Sequence, residues 1–226
     1  VFSKMIGIAV SGKRTKKVYV YVEGPSDAYA MEILLCDLVE QKKQNGILIE
    51  FLPQNGKSDL LTKTLRSVAN ILINEPNSIA VILPDLHPKD EVFNHATFDE
   101  LRDGILSRFI AILRNKHINE NQELMERIKV FCFKHDLEAL ILASKEALES
   151  YFCIDNIDVN WTIPVENQNF NCPPKYVVKN IFRSYGESYN ETFHAPLILG
   201  MSDCENIANR CEQCFKPFVN FLKDLT

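Results

Sequence analysis

Three stretches of this 226-residue chain place acidic side chains directly after runs of strand-forming residues. Glu23 follows Val18, Tyr19, Val20, Tyr21 and Val22, with Asp27 four residues further on. Asp85 follows Ile79 to Leu83 and is itself followed by His87 and Asp90. His135, Asp136 and Glu138 follow the apolar run from Ile128 to Phe133. In a parallel sheet all three sets converge on one rim. Carboxylates gathered there repel one another and are costly to remove from water. A divalent cation answers both problems, and hard oxygen donors suit Mg²⁺ or Mn²⁺. Such a centre activates water and stabilises charge on a phosphoryl group. Taken singly, each acid reads as a cap or turn residue and each histidine as a polar loop residue. The coincidence of three strand ends carries the chemistry.

The elements that would position these groups alternate. Residues 1–10 suggest a short strand. Residues 17–23 follow as a strand rich in β-branched and aromatic residues. Gly24-Pro25 supplies a turn, and Ser26 is the expected cap of a helix over 26–44 that Asn45-Gly46 closes. A strand over 47–52 precedes a helix capped by Ser58 or Asp59 and ending near Ile73. Ser78 to Leu83 is continuously apolar, as in a strand covered on both faces. A polar loop over 85–97, a helix over 98–115, a strand over 128–133 and a helix over 137–152 complete the series. This alternation predicts an α/β fold with a doubly wound, mainly parallel sheet flanked by helices. Ligands bind at the carboxyl ends of the strands in such sheets. The core is expected over 1–152. A Pro- and Asn-rich connection with C-terminal helices, Tyr176 to Arg183 and Asp203 to Leu225, is expected to pack on it over 153–226.

The motifs resemble those of Toprim domains. Glu23-Gly-Pro-Ser-Asp27 after a hydrophobic strand is similar to the first Toprim motif. Asp85-Leu-His87 is similar to the second, usually Asp-x-Asp, with His87 in place of the second acid and Asp90 as its substitute. His135-Asp-Leu-Glu-Ala-Leu140 resembles the His-x-Phe-Glu-Ala-Leu motif of a Toprim-like family known as domain of unknown function 4276. Pro173 to Tyr185, His194 to Leu197 and Arg210 to Leu222 run parallel to that family's C-terminal pattern. The resemblance implies a metal-dependent nuclease of the overcoming-lysogenization-defect kind. Such a protein cleaves phosphodiester bonds in DNA or RNA beside an ABC- or SMC-like ATPase, commonly in phage defence. Glu23, Asp85, Glu138 and His135 would be the catalytic residues. Glu23 and Asp85 would hold the metal, with Asp27, His87 and Asp90 as further candidates, and Mg²⁺ or Mn²⁺ as the cofactor.

Composition narrows the alternatives. A net charge of −5 argues against a general nucleic-acid coat, yet an acidic metal site with a local basic patch such as Lys13, Arg14, Lys16 and Lys17 remains compatible with a nuclease. A solvated turn is the commoner reading of that patch. No apolar run approaches the ~20 residues of a membrane span, no signal peptide is recognisable, and a cytoplasmic protein is expected. Seven scattered cysteines read as free thiols. Cys204, Cys211 and Cys214 invite a zinc reading, but Cys211 and Cys214 at i and i+3 of one helix are expected to pack as small apolar residues. Trp161 and Tyr151 have the shape to stack on a base, and covering the sheet is their commoner use. A catalytically inactive regulatory or scaffold subunit that binds the ATPase is the main rival. A nucleotide-binding domain is disfavoured, because neither a Gly-x-x-x-x-Gly-Lys-Ser/Thr loop nor a Gly-x-Gly-x-x-Gly turn is present.

Overall fold

The computed structural model describes residues 15–89, 94–118, 122–168 and 171–226. The expected strand within 1–10, the basic residues Lys13 and Arg14, and the metal candidate Asp90 lie outside the described residues.

Four strands form one parallel sheet: β1 (Lys16–Val22), β2 (Ile47–Pro53), β3 (Ser78–Leu83) and β4 (Ile128–Val130), in the order β2-β1-β3-β4. Val18 pairs with Ile49 on one side and Ile79 on the other. The doubly wound parallel sheet expected from the alternation is the architecture found. Period-two alternation assigns the faces. Val18, Val20 and Val22 point into one core, and Tyr19 and Tyr21 into the other. Beyond β4, hydrogen bonds from Phe131 to Ile82 (3.0 Å) and from Phe133 to Pro84 (3.0 Å) carry the pairing on to Phe133.

The tyrosine face is covered by α3 (Lys57–Leu61), α4 (Lys63–Asn74), α5 (Phe98–Asn115) and α6 (Gln122–Arg127). Thr97 caps α5, accepting from the Glu100 amide at 3.2 Å. The valine face is covered by α1 (Pro25–Leu34), α2 (Cys36–Gln44), α7 (Glu138–Ala143), α8 (Lys145–Phe152), α9 (Pro174–Ser184), α10 (Glu191–Gly200), α11 (Cys204–Arg210) and α12 (Phe215–Asp224). Phe182, Phe215 and Phe218 are wholly buried there.

Several expectations are corrected. The helices expected over 26–44 and 137–152 are each two helices, broken at Leu35 and Ser144. The helix expected from Ser58 or Asp59 also breaks, at Thr62, and its first turn is capped by Gly56, whose φ of +88° favours glycine. The single C-terminal helix is α11 and α12, and α10 had not been expected. Ser26 is not the cap of α1: Gly24 is, and Asp27 reaches back to accept from its amide at 2.9 Å. Cys211 and Cys214 do not share a helical face. They flank the break between α11 and α12, Cys211 packing into the valine-face core and Cys214 into the tyrosine-face core. There the Cys214 sulfur lies 3.5 Å from that of Cys132.

Two basic side chains secure helix ends. Lys42 donates to the carbonyls of Lys223 and Leu225 at the end of α12, and Arg127 donates to those of Leu72 (2.8 Å) and Glu75 (3.0 Å) at the end of α4. Cations there complement the helix dipole.

Candidate metal and phosphodiester site

The carboxyl ends of β1, β3 and β4 meet at one rim. Glu23 leaves β1 with its backbone carbonyl bound by the Gly56 amide at 2.9 Å. Its Oε1 accepts from the backbone amide of Asp85 at 2.9 Å. Asp85 in turn bridges to Phe133, and Leu86 donates to the Phe133 carbonyl at 2.6 Å. The β4 end is thereby fixed beside Asp85, and the chain runs on through His135 and Asp136 into α7.

Burial and mutual repulsion shift the carboxyls of this rim upward. Burial pushes the Asp85 carboxyl well above its ordinary value, and Glu23, Asp27 and Asp136 push it further, against Lys57. Asp27 rises to about 6 by burial, opposed by the Gly24 amide and reinforced by Glu191. Asp136 also rises to about 6, again by burial first. Glu138 opens α7 with no exposed surface and is raised to about 8 by burial and then by Asp136. Neither of its oxygens has a hydrogen-bond partner among the described residues, nor has Asp136 Oδ1.

Lys175 faces Glu138, Asp136 and Glu191. Lys175, in the first turn of α9, lies 3.7 Å from Glu138 Oε1 and forms an ion pair with Glu191 of α10. Its backbone amide donates to Asp136 Oδ2 at 3.3 Å. Glu191 also accepts from the Ser26 hydroxyl at 2.8 Å, joining the start of α10 to the start of α1. Burial opposes a raised Lys175 pKa, but Glu138 and Glu191 outweigh it, so the ammonium stays charged. The Tyr189 hydroxyl is raised by burial and then by Glu138.

The predicted residues therefore fall into neighbouring groups. Glu23, Asp27 and Asp85 form the first. Glu138 belongs to the second, with Asp136, Lys175 and Glu191. His87 and His135 form a third, their rings 5.3 Å apart. Burial lowers His87 to about 4, helped by His135 and Lys57, and burial also lowers His135, so both rings are neutral at pH 7. Lys57 spans toward this loop, donating to the carbonyls of Leu86 (3.2 Å) and Pro88 (2.5 Å). Among the described residues no three His, Cys, Asp or Glu side chains converge closely enough to hold a metal ion. The described part of the basic patch does not border the site: Lys16 and Lys17 begin β1, at the opposite end of the sheet from Glu23. Lys17 there lies 3.7 Å from Glu75.

The donor set nonetheless suits a hard cation. The rim is rich in carboxylate oxygen, burial and neighbouring acids hold Asp85 toward neutrality, and three buried oxygens of the adjoining group, on Asp136 and Glu138, lack a hydrogen-bond partner among the described residues. Lys175 and Glu191 were missed as members of the site. A lysine in a first helical turn opposes the helix dipole, and that was the available signal for Lys175. Glu191 after the cap Asn190 is an ordinary helix start and offered none.

No helix among the described residues is long and apolar enough to cross a membrane. No curated protein matches the chain. Among solved structures, it is similar to the C-terminal region of the Burkholderia pseudomallei OLD protein, at 13% identity and a TM-score of 0.41, over 89% of this chain and 98% of that one. It is also similar to the C-terminal region of the Xanthomonas campestris pv. campestris OLD protein, at 12% identity and a TM-score of 0.37, over 86% and 95%. Scores this low leave the fold to be argued from the chain's own topology. A family profile matches residues 22–223, from the last residue of β1 to within α12. The chain belongs to the family described as domain of unknown function, DUF4276.

Proposed function

We propose that this protein is a Toprim-like, divalent-cation-dependent phosphodiesterase that cleaves DNA or RNA. The observation that carries the reading is the Glu23 carboxylate held on the Asp85 amide, with Asp27 and Asp136 raising the Asp85 carboxyl beside it. Acids from three separate strand ends share one electrostatic environment that a cation would relieve. Glu23 and Asp85 would hold Mg²⁺ or Mn²⁺, with water and a substrate oxygen supplying the remaining ligands. When bound, the ion supplies charge stabilisation at phosphorus and a more acidic water.

The chain's own residues do the rest. Lys175 offers a positive charge beside the acids, suited to a phosphate oxygen. Ser26 and Glu191 position that lysine by joining α1 to α10. Glu138, raised to about 8 by burial, would be the proton donor to a leaving oxygen. His135, which burial holds toward its neutral form, would be a proton acceptor at the rim. An ATPase subunit as partner, a role in phage defence and a cytoplasmic location rest on the family resemblance alone.

The test is cleavage of labelled DNA and RNA by the purified protein with Mg²⁺ or Mn²⁺. Cleavage that disappears in Glu23→Ala supports the reading. Cleavage that persists in that variant assigns the activity to a contaminant. The rival, an inactive subunit that binds an ATPase, is favoured by one finding: the acids form neighbouring groups rather than one three-ligand cluster. It predicts no Glu23-dependent cleavage with any cation, with or without the ATPase.

A further inference from the structure

A cavity of about 410 Å³ opens between the α7–α8 junction, the connection over 161–166 and the α11–α12 junction. None of the acids or histidines of the rim lines it. Its wall is mainly apolar, built from Leu142, Ala143, Trp161, Pro164 and Val165, with Ile163 79% exposed beside them. This size and lining are typical of small-ligand sites, which run from roughly 300 to 1,000 Å³.

The charged groups around the cavity are already engaged. Arg210 makes a two-pronged contact with Glu146, at 2.6 and 2.5 Å, and donates to the Ala143 carbonyl at 2.7 Å. Glu166 accepts the amides of Gln213 (2.7 Å) and Cys214 (2.8 Å), where α12 begins. Lys145 lies 3.4 Å from Glu149, and Glu212 3.1 Å from Lys216. A phosphate or carboxylate entering this cavity meets no uncommitted charge. Two features remain for a ligand. One is the indole of Trp161, the chain's single tryptophan. The other is the amide of Asn209, which lines the cavity, is exposed and has no partner among the described residues.

We propose that this cavity binds an uncharged heteroaromatic ring of the nucleobase class, stacked on Trp161 and held at its edge by Asn209. Aromatic faces stack on any base, and side-chain amides pair with base edges. The ring comes either from a free nucleoside or from an unpaired base of a nucleic-acid strand. The inference does not depend on catalysis at the acidic rim.

Trp161 is its own reporter. Adenosine and uridine, which carry no phosphate, are titrated against intrinsic fluorescence in EDTA. A short single strand and the matching duplex are titrated in parallel. Saturable quenching by a nucleoside is expected, weakened about fivefold in Asn209→Ala, the loss of one hydrogen bond. It is expected to be unchanged in Glu23→Gln. Quenching by both nucleoside and single strand, but not duplex, assigns the ring to a strand; quenching by nucleoside alone assigns it to a free ligand. Saturation-transfer NMR of the nucleoside is expected to lose its signal in Trp161→Leu while thermal unfolding stays cooperative. No saturable quenching by any nucleoside, quenching by the strand alone, or an unaltered titration in Asn209→Ala overturns the proposal.

Discussion

The backbone amide of Asp85 donates to Glu23 Oε1 at 2.9 Å, so the residue ending β1 is held by the chain just beyond β3. This bond places a carboxylate over the junction of adjacent parallel strands. It also separates two roles of Glu23, accepting from an amide and carrying charge.

Glu23→Gln keeps the acceptor and removes the charge. Its thermal midpoint is expected to match or exceed that of the parent protein in the absence of cations, because the charge that repels Asp85 is gone. Cleavage is expected to fall by at least about 100-fold, beyond the ~10–100-fold typical of residues that only support a metal ligand. Unfolding followed by circular dichroism, paired with a cleavage assay, checks both halves. A variant that is equally active removes Glu23 from the chemistry.

Lys175 lies against Glu138 and forms an ion pair with Glu191, so Lys175→Met leaves the half-buried Glu191 carboxylate without its cation. Breaking a buried pair costs ~3–5 kcal/mol, and partial exposure of the lysine reduces this to about 1–2 kcal/mol. Lys175→Met/Glu191→Gln is expected to recover part of the loss, as a double-mutant cycle in urea measures. Cleavage stays low in both variants if the ammonium itself meets phosphate. Recovery of cleavage in the double variant confines the lysine to neutralising Glu191.

Arg127 closes the end of α4 by donating to the Leu72, Glu75 and Ser78 carbonyls. Arg127→Ala removes charge-assisted hydrogen bonds from part-buried carbonyls, which is expected to cost about 2 kcal/mol. The expected readout is a lower urea midpoint with an unchanged slope and unchanged Glu23-dependent activity. A loss below ~0.5 kcal/mol would make the contact a surface ornament.

The strand ends were legible because their signal is local. Val18 to Val22 and Ile79 to Leu83 declare strands by composition, and Glu23 and Asp85 are simply the next polar residues in line. The parallel order then follows from the alternation with helices. Helix breaks at Leu35 and Ser144 were not legible, because neither residue is a helix breaker and packing on the valine face decides where each helix turns. Helix α10 was hidden by Pro196 and Gly200, and by apolar residues on both sides, with His194 and Ile198 buried while Phe193 and Leu197 are exposed. Glu191 enters the site only through that helix. Cys211 and Cys214 escaped their expected shared face for the same reason: a helix break sends them into different cores.

Glu138 has the clearest consequence for pH. Its pKa of about 8 in the folded protein lies above the ~4.3 of an unfolded glutamate. Between those values the folded chain holds a proton that the unfolded chain has released, so stability falls as pH rises. The contribution is intact below about pH 4.3 and is lost as pH passes through about 8. Asp27 and Asp136, each raised to about 6, act in the same direction lower in the range. In EDTA the thermal midpoint is therefore expected to decline from pH 5 to pH 8. Glu138→Gln is expected to make the decline shallower from pH 5 to pH 8, leaving the part that Asp27, Asp85 and Asp136 contribute. A cation bound by these acids favours their ionised form, so millimolar Mg²⁺ or Mn²⁺ is expected to raise the midpoint more at pH 8 than at pH 6. Scanning fluorimetry across this grid checks each step. A midpoint that rises with pH in EDTA removes the buried-acid account, and one indifferent to both cations at pH 8 removes the metal.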